Sequence, residues 1–158
     1  MAILDIGSTG AYPGCDLSNF AAHEFDFDGV HCASMEGFLQ SLKFPDPETQ
    51  VQVCAMTSIS AQRTGRTQDW TKHQKLYWKG KYYLRHSDEY QRLLDRAYDA
   101  LYTNKGFRDA LAATGNDTLT HTVGRSREGE TVLTIREFIH RLNVLRDRLH
   151  TEENMEFI

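Results

Sequence analysis

The residues of this chain best suited to chemistry lie between Ser34 and Phe44. Glu36, Gln40 and Lys43 recur at i, i+4 and i+7, so a helix here presents them as one polar stripe. A carboxylate, an amide and an ammonium on one rigid element suit a polar ligand with a centre that gains or loses a proton. Met35, Phe38, Leu39 and Leu42 form a parallel apolar stripe that would anchor the element. The plainer reading is a solvated Glu/Lys face, worth a few tenths of a kcal/mol. Glu36 falls in the first turn, where the helix dipole favours the ionised carboxyl. Lys43 falls two turns on, ~10 Å along the axis.

The surrounding sequence must position that helix. Ser34 is a good N-cap, and Pro45 and Pro47 stop it. Upstream, Phe25-Asp26-Phe27-Asp28-Gly29-Val30 alternates around a strong Asp-Gly hairpin signal. Downstream, the pattern predicts a second helix from Pro47 to just before Gly65, burying Val51, Cys54, Ala55 and Ile59. The span from Trp70 to Thr103 reads as helical, broken near Lys79-Gly80-Lys81, with Leu94, Ala97, Tyr98 and Leu101 as its apolar stripe. A short helix over Phe107–Ala113 ends at Gly115, a favoured C′ residue. Thr118–Val123 has strand chemistry, and a last helix runs from Val132 to Leu149. The expected fold class is α+β, mainly helical, in one domain over residues 1–158. Residues 1–16, with Gly7, Gly10, Pro13 and Gly14, read as an irregular arm, and 151–158 as a loose tail.

In order along the chain stand Leu17-Ser18-Asn19-Phe20, the Phe25–Gly29 hairpin, the S-x-E-x-x-x-Q-x-x-K-F helix, Gly65-Arg66 and Asp69-Trp70. This series resembles the NADAR (YbiA-like) superfamily, which includes N-glycosidases acting on ribosylated substrates. The similarity is specific from Leu17 to Trp70 and weaker from there to Arg148. It implies a single-domain YbiA-like fold with a few short strands. It also implies catalytic roles for Glu36, at the ribose C1″, and Lys43, through a Schiff base with the opened ribose. A ribose with its base spans the distance between the two. Asn19 and Phe20 would contact substrate, Asn19 through its amide on the ribose hydroxyls. Gln40 would orient Glu36 or read a ligand edge. Arg66 offers a fork that matches phosphate, with Arg63 a weaker candidate. Trp70 offers a stacking face for a base; core packing is its ordinary alternative.

One segment departs from the family pattern. Many members carry an acidic residue and a Trp-Gly pair after the Thr-Gly turn. Here the corresponding stretch reads Asn116 to Val123, and Val123-Gly124 stands where Trp-Gly would. Either Asp117 or His121 fills the acidic role or nothing does, and a reshaped pocket is expected.

Composition narrows the setting. A net charge of -4 argues against a protein held to nucleic acid by bulk electrostatics, though not against local contact. Three cysteines with no C-x-x-C pair argue for a reducing compartment and against a disulfide framework or zinc site. The seven histidines show no ligand spacing. Gly7-Ser8-Thr9-Gly10 lacks the Gly-Lys-Ser/Thr of a phosphate loop, and no G-x-S-x-G nucleophile elbow occurs. There is no signal-peptide pattern and no membrane span, so a cytoplasmic protein is expected. No metal or other cofactor is required by the expected chemistry.

With the resemblance, the expectation is an N-glycosidase removing ADP-ribose from a modified nucleobase, typically guanine in DNA or RNA. Its partners would be a ribosylated ligand and, transiently, a nucleic acid, with no membrane; the oligomeric state is not legible. A phosphorylated ribosylamino-pyrimidine of riboflavin synthesis is the other substrate class. A module that binds NAD or ADP-ribose without turnover is the rival from a different class.

Overall fold

Asp28 and Gly29 both take positive φ, 50° and 80°, which is the two-residue turn that an Asp-Gly pair favours. They join β2 (Phe25–Phe27) to β3 (Val30–Cys32), and Phe25, Phe27, Val30 and Cys32 point inward. The chain then enters α1 (Met35–Ser41), where Ser34 Oγ accepts the Gly37 N–H at 3.1 Å. The computed structural model describes residues 2–155.

The apolar stripe of α1 is buried as its periodicity requires: Met35, Phe38, Leu39 and Leu42 are each at most 2% exposed. Beyond it the chain forms two helices where one was expected. Asp46 caps α2 (Pro47–Cys54), accepting the Thr49 N–H, with Pro47 in the first turn. Thr57 caps a new helix, α3 (Ser58–Gly65), accepting the Ser60 N–H. The break shifts the helical phase. Cys54 is buried as expected, but Val51 and Ile59, expected inside, are 49% and 54% exposed, Ala55 is also exposed, and Val53 and Ala61 turn inward instead. Both helices pack on α1.

The helical reading of Trp70–Thr103 holds only for its second half. Lys75–Trp78 (β4) and Lys81–Leu84 (β5) form an antiparallel hairpin whose turn residues Lys79 and Gly80 both have positive φ. Leu76 and Trp78 enter the core by strand alternation. Trp78 stacks on Phe27 and meets the edge of Phe38, while its Nε1 donates to Asp28 at 2.9 Å. Gln50 ties the hairpin to α1: its amide donates to the carbonyls of Ser41 and Tyr77, and its oxygen accepts the Lys79 N–H.

Ser87 caps α4 (Asp88–Leu101), and Asn104 caps α5 (Lys105–Ala113), which ends with Gly115 at φ 53°. β6 (Thr118–Thr120) pairs in parallel with β1 (Ile3–Asp5), so the N-terminal arm contributes a strand. α6 (Ile135–Met155) starts three residues later than its pattern suggested, because Thr134 and Glu137 close a capping box. Glu137 N–H donates to Thr134 Oγ1 at 3.1 Å and Thr134 N–H to Glu137 Oε1 at 2.8 Å. Residues 151–155, expected as loose tail, continue α6 as an exposed turn, with Glu152 accepting from the Tyr102 hydroxyl; the last three residues lie outside the described part.

Glu137 also receives the Arg85 fork at 2.6 and 3.0 Å and the Gln91 amide at 2.6 Å. Burial opposes its ionisation, but these donors and the Thr134 N–H hold its pKa down at about 2. Arg85, fully buried, donates further to the Thr131 carbonyl, and the Tyr90 hydroxyl donates to that of Val132. The segment before α6 is thereby fixed across the molecule from α1. No helix among the described residues is long and apolar enough to cross a membrane.

Candidate functional site

The polar stripe of α1 faces a cavity of about 380 Å³, within the usual range for small-molecule sites. Glu36, Gln40 and Lys43 line one side. Gln62 and Arg66 come from α3 and its C-cap, Trp70 from the turn beyond it, and Asn19 from the loop before β2. His121, Gly124 and Arg125 follow β6, and residues 130–134 with Phe138 complete the opposite wall. A larger cavity, about 660 Å³, lies around His86, Gln91, Glu128 and Arg141. Its charged groups are largely spent on one another, in the pairs His86–Glu128, Arg85–Glu137 and Arg141–Asp95. The smaller cavity is the better candidate because its charges are not.

Glu36 is 9% exposed. Its backbone N–H donates to the Asn19 carbonyl at 2.9 Å, and its carboxylate accepts the Gln40 amide at 2.8 Å. Burial raises its pKa above the ordinary carboxylate range, and the Gln40 donor and the Lys43 charge only partly offset this. The dipole argument from sequence is therefore outweighed by desolvation. Burial likewise lowers the pKa of Lys43; the Glu36 charge opposes that shift and Arg66 adds to it. Depression by desolvation and a neighbouring cation is what a nucleophilic lysine needs, and sequence could not reveal it. Lys43, Arg66 and Arg125 all line the cavity, and among the described residues none forms an ion pair with a carboxylate.

Seven of the eight residues singled out from sequence meet at this cavity. Trp70 is 5% exposed and belongs to the core cluster while also lining the wall, so packing and a ligand face are combined in one side chain. Asn19 accepts the Tyr98 hydroxyl at 2.6 Å, which fixes the loop that holds Glu36. His121 Nδ1 lies 2.8 Å from the Ile6 carbonyl, to which it donates, and the ring meets the edge of Phe138. Phe20 is the exception. It does not line the cavity; its carbonyl instead accepts from Ser58 Oγ, which also bonds the Ser34 cap, so the residue braces the entry to α1. Arg63 and Asp117 also stay outside the lining. Sequence reasoning missed Gln62, Arg125, Glu130 and Thr134. Gln62 stands one turn before Arg66 and was legible by helical spacing; the others depend on the long-range anchoring of residues 125–134.

An α+β fold with a buried carboxylate and uncommitted cations in one cleft is the class of architecture seen here. The structure of YbiA from E. coli shares the fold, with a TM-score of 0.63 and 20% identity over 96% of this chain and 87% of that one. The chain belongs to the family described as bacteriophage protein GP30.3, whose model matches residues 11–147. It is 38% identical over 152 residues to a 17.1 kDa protein in the Gp30–rIII intergenic region of Enterobacteria phage T4, spanning 94% of this chain and all of that protein.

Proposed function

We propose that the protein is an N-glycosidase that hydrolyses the bond between a ribose and a nucleobase-like nitrogen. The observation that carries this reading is the buried Glu36, bonded to Gln40 and sharing a cavity with Lys43 and Arg66. Breaking an N-glycosidic bond develops positive charge at the anomeric carbon and ring oxygen. A desolvated carboxylate beside that carbon stabilises the charge more than it would in water. Lys43, with its depressed pKa, suits attack on C1″ of the ring-opened ribose, where its amine displaces the nucleobase nitrogen, which leaves with a proton, and forms an imine that water then hydrolyses. Trp70 offers a ring face to the base, and Asn19 hydrogen bonds to the sugar.

Among the candidate substrates the cavity favours ADP-ribose on a nucleobase. Arg66 and Arg125, two cations without carboxylate partners, fit the two phosphates of a diphosphate better than the single phosphate of a ribosylamino-pyrimidine. The nucleobase, typically guanine, would belong to a nucleic acid that meets the protein transiently.

The test is incubation of the protein with an oligonucleotide bearing ADP-ribosylated guanine, with free ADP-ribose measured by chromatography. Release at substoichiometric protein supports the hydrolase. Tight binding without release over hours refutes it and leaves a binding module.

A further inference from the structure

Gly65 ends α3 and is buried against α1. Its φ is not positive, so the backbone there does not demand glycine. In a helix an alanine would be favoured by about 1 kcal/mol. What excludes a side chain is space. A Cβ on Gly65 would fall 1.8 Å from Gln40 Oε1 and 2.8 Å from Gln40 Cδ. Gln40 Oε1 is buried, has no hydrogen-bond partner and occupies the space that a side chain at position 65 would fill. The other end of the same amide donates to Glu36. Had the amide the opposite orientation, its oxygen would face the carboxylate oxygen, which repels it.

We infer that Gly65 is a positioning residue: the missing side chain leaves the niche that seats the Gln40 carbonyl and so aims the Gln40 NH2 at Glu36. The inference rests on the hydrolase reading for its effect on turnover, but not for its effect on Glu36. Groups surrounding Glu36 are Gln40 and Lys43 on its own side, Arg66 beyond α3, Tyr98 of α4, and His121, Arg125 and Glu130 on the opposite wall. The three atoms nearest a methyl at position 65 all belong to Gln40, so it displaces that side chain and leaves the other groups in place. The carboxylate then loses its one side-chain donor, and its protonated form gains.

The experiment compares the parent, Gly65→Ala, Gln40→Ala and the double variant. Glu36 titration is followed by NMR of its side-chain carboxyl carbon, and turnover by ADP-ribose release. Gly65→Ala is expected to shift the Glu36 titration to higher pH and to lower turnover about 10- to 100-fold, the scale of a small misplacement. In the Gln40→Ala background the same change should have much less effect, because the contacts at 1.8 and 2.8 Å are gone and only the residue 40 Cβ, at 3.2 Å, remains close. An unmoved Glu36 titration in Gly65→Ala overturns the inference, as does an equal loss in both backgrounds. If Gly65→Ala does not fold, the double variant decides: restored folding upholds the clash with Gln40 and continued failure overturns it. If the parent releases no ADP-ribose, yet Gly65→Ala still shifts the Glu36 titration, the hydrolase reading falls and the positioning role stands.

Discussion

Replacing Glu36 with glutamine separates charge from shape. The new amide keeps the length of the side chain and can still accept the Gln40 donor at the 2.8 Å position, so the α1 surface is preserved. What disappears is a desolvated negative charge beside Lys43. If that charge stabilises the developing cation on the ribose, turnover should fall about 10²- to 10³-fold, or about 2.7–4 kcal/mol, as when one preorganised electrostatic group is removed. Stability should move the other way. The pKa of Glu36 is raised in the folded protein, so its contribution is fully present below the unfolded value and is lost as pH rises through the folded one. At neutral pH the parent therefore carries a cost that the glutamine variant lacks. The variant should melt at a higher temperature at pH 7, and the gain should shrink as pH is lowered toward the unfolded carboxyl range. The assays are single-turnover release of ADP-ribose and thermal melts across pH. Turnover within about threefold of the parent, well under the 1.36 kcal/mol of a tenfold effect, would refute the catalytic argument. A lower melting temperature at pH 7 would refute the electrostatic one.

Arg66→Ala should weaken binding of ADP-ribose by about 1.5–3 kcal/mol and spare the plain riboside, as measured by calorimetry; equal loss for both would make Arg66 structural. Borohydride reduction in the presence of substrate should leave a covalent adduct on Lys43, visible by mass spectrometry and absent in Lys43→Arg, whose guanidinium stays protonated. If no adduct forms and Lys43→Arg keeps its activity, Lys43 is a charge clamp and water attacks directly. Glu137→Gln should destabilise the fold by about 3–5 kcal/mol at pH 7, because it leaves the buried Arg85 without its counter-charge. The parent should lose this contribution as pH falls from the ordinary value of 4.5 toward about 2, which acid-unfolding curves would register.

The parts of the site that depend on local sequence were legible. Ser34, the two stripes of α1 and the Asp28-Gly29 turn each carry their own signal within a few residues, and all three stand in the structure. The β4–β5 hairpin was missed because its lysines and tyrosines blur the alternation of Leu76 and Trp78, and its turn uses Lys79-Gly80 in place of a stronger pair. The break between α2 and α3 hangs on a single cap, Thr57, inside an otherwise helical pattern. The far wall of the cavity was illegible for a different reason. Glu130 reaches it where Arg85, Tyr90 and Gln74 hold the backbone of residues 129–132, and none of those partners is near in sequence; Arg125 is placed by the Ile135 N–H, which donates to its carbonyl.

The parallel pairing of β1 with β6 bears on how the cavity is assembled. Ile3 and Thr118 are partners across most of the chain, and Asp5 further binds Thr120 and Thr122 while Ile6 holds His121. Joining such distant segments carries a large loop-closure entropy, which contacts already formed between them must reduce. The wall that bears Glu36 is built from neighbours between Asn19 and Trp70, whereas the wall that bears His121 waits for β1 to meet β6. Ligand-binding competence should therefore appear later in refolding than helical content, and the first strand acts as the clasp that completes the cavity.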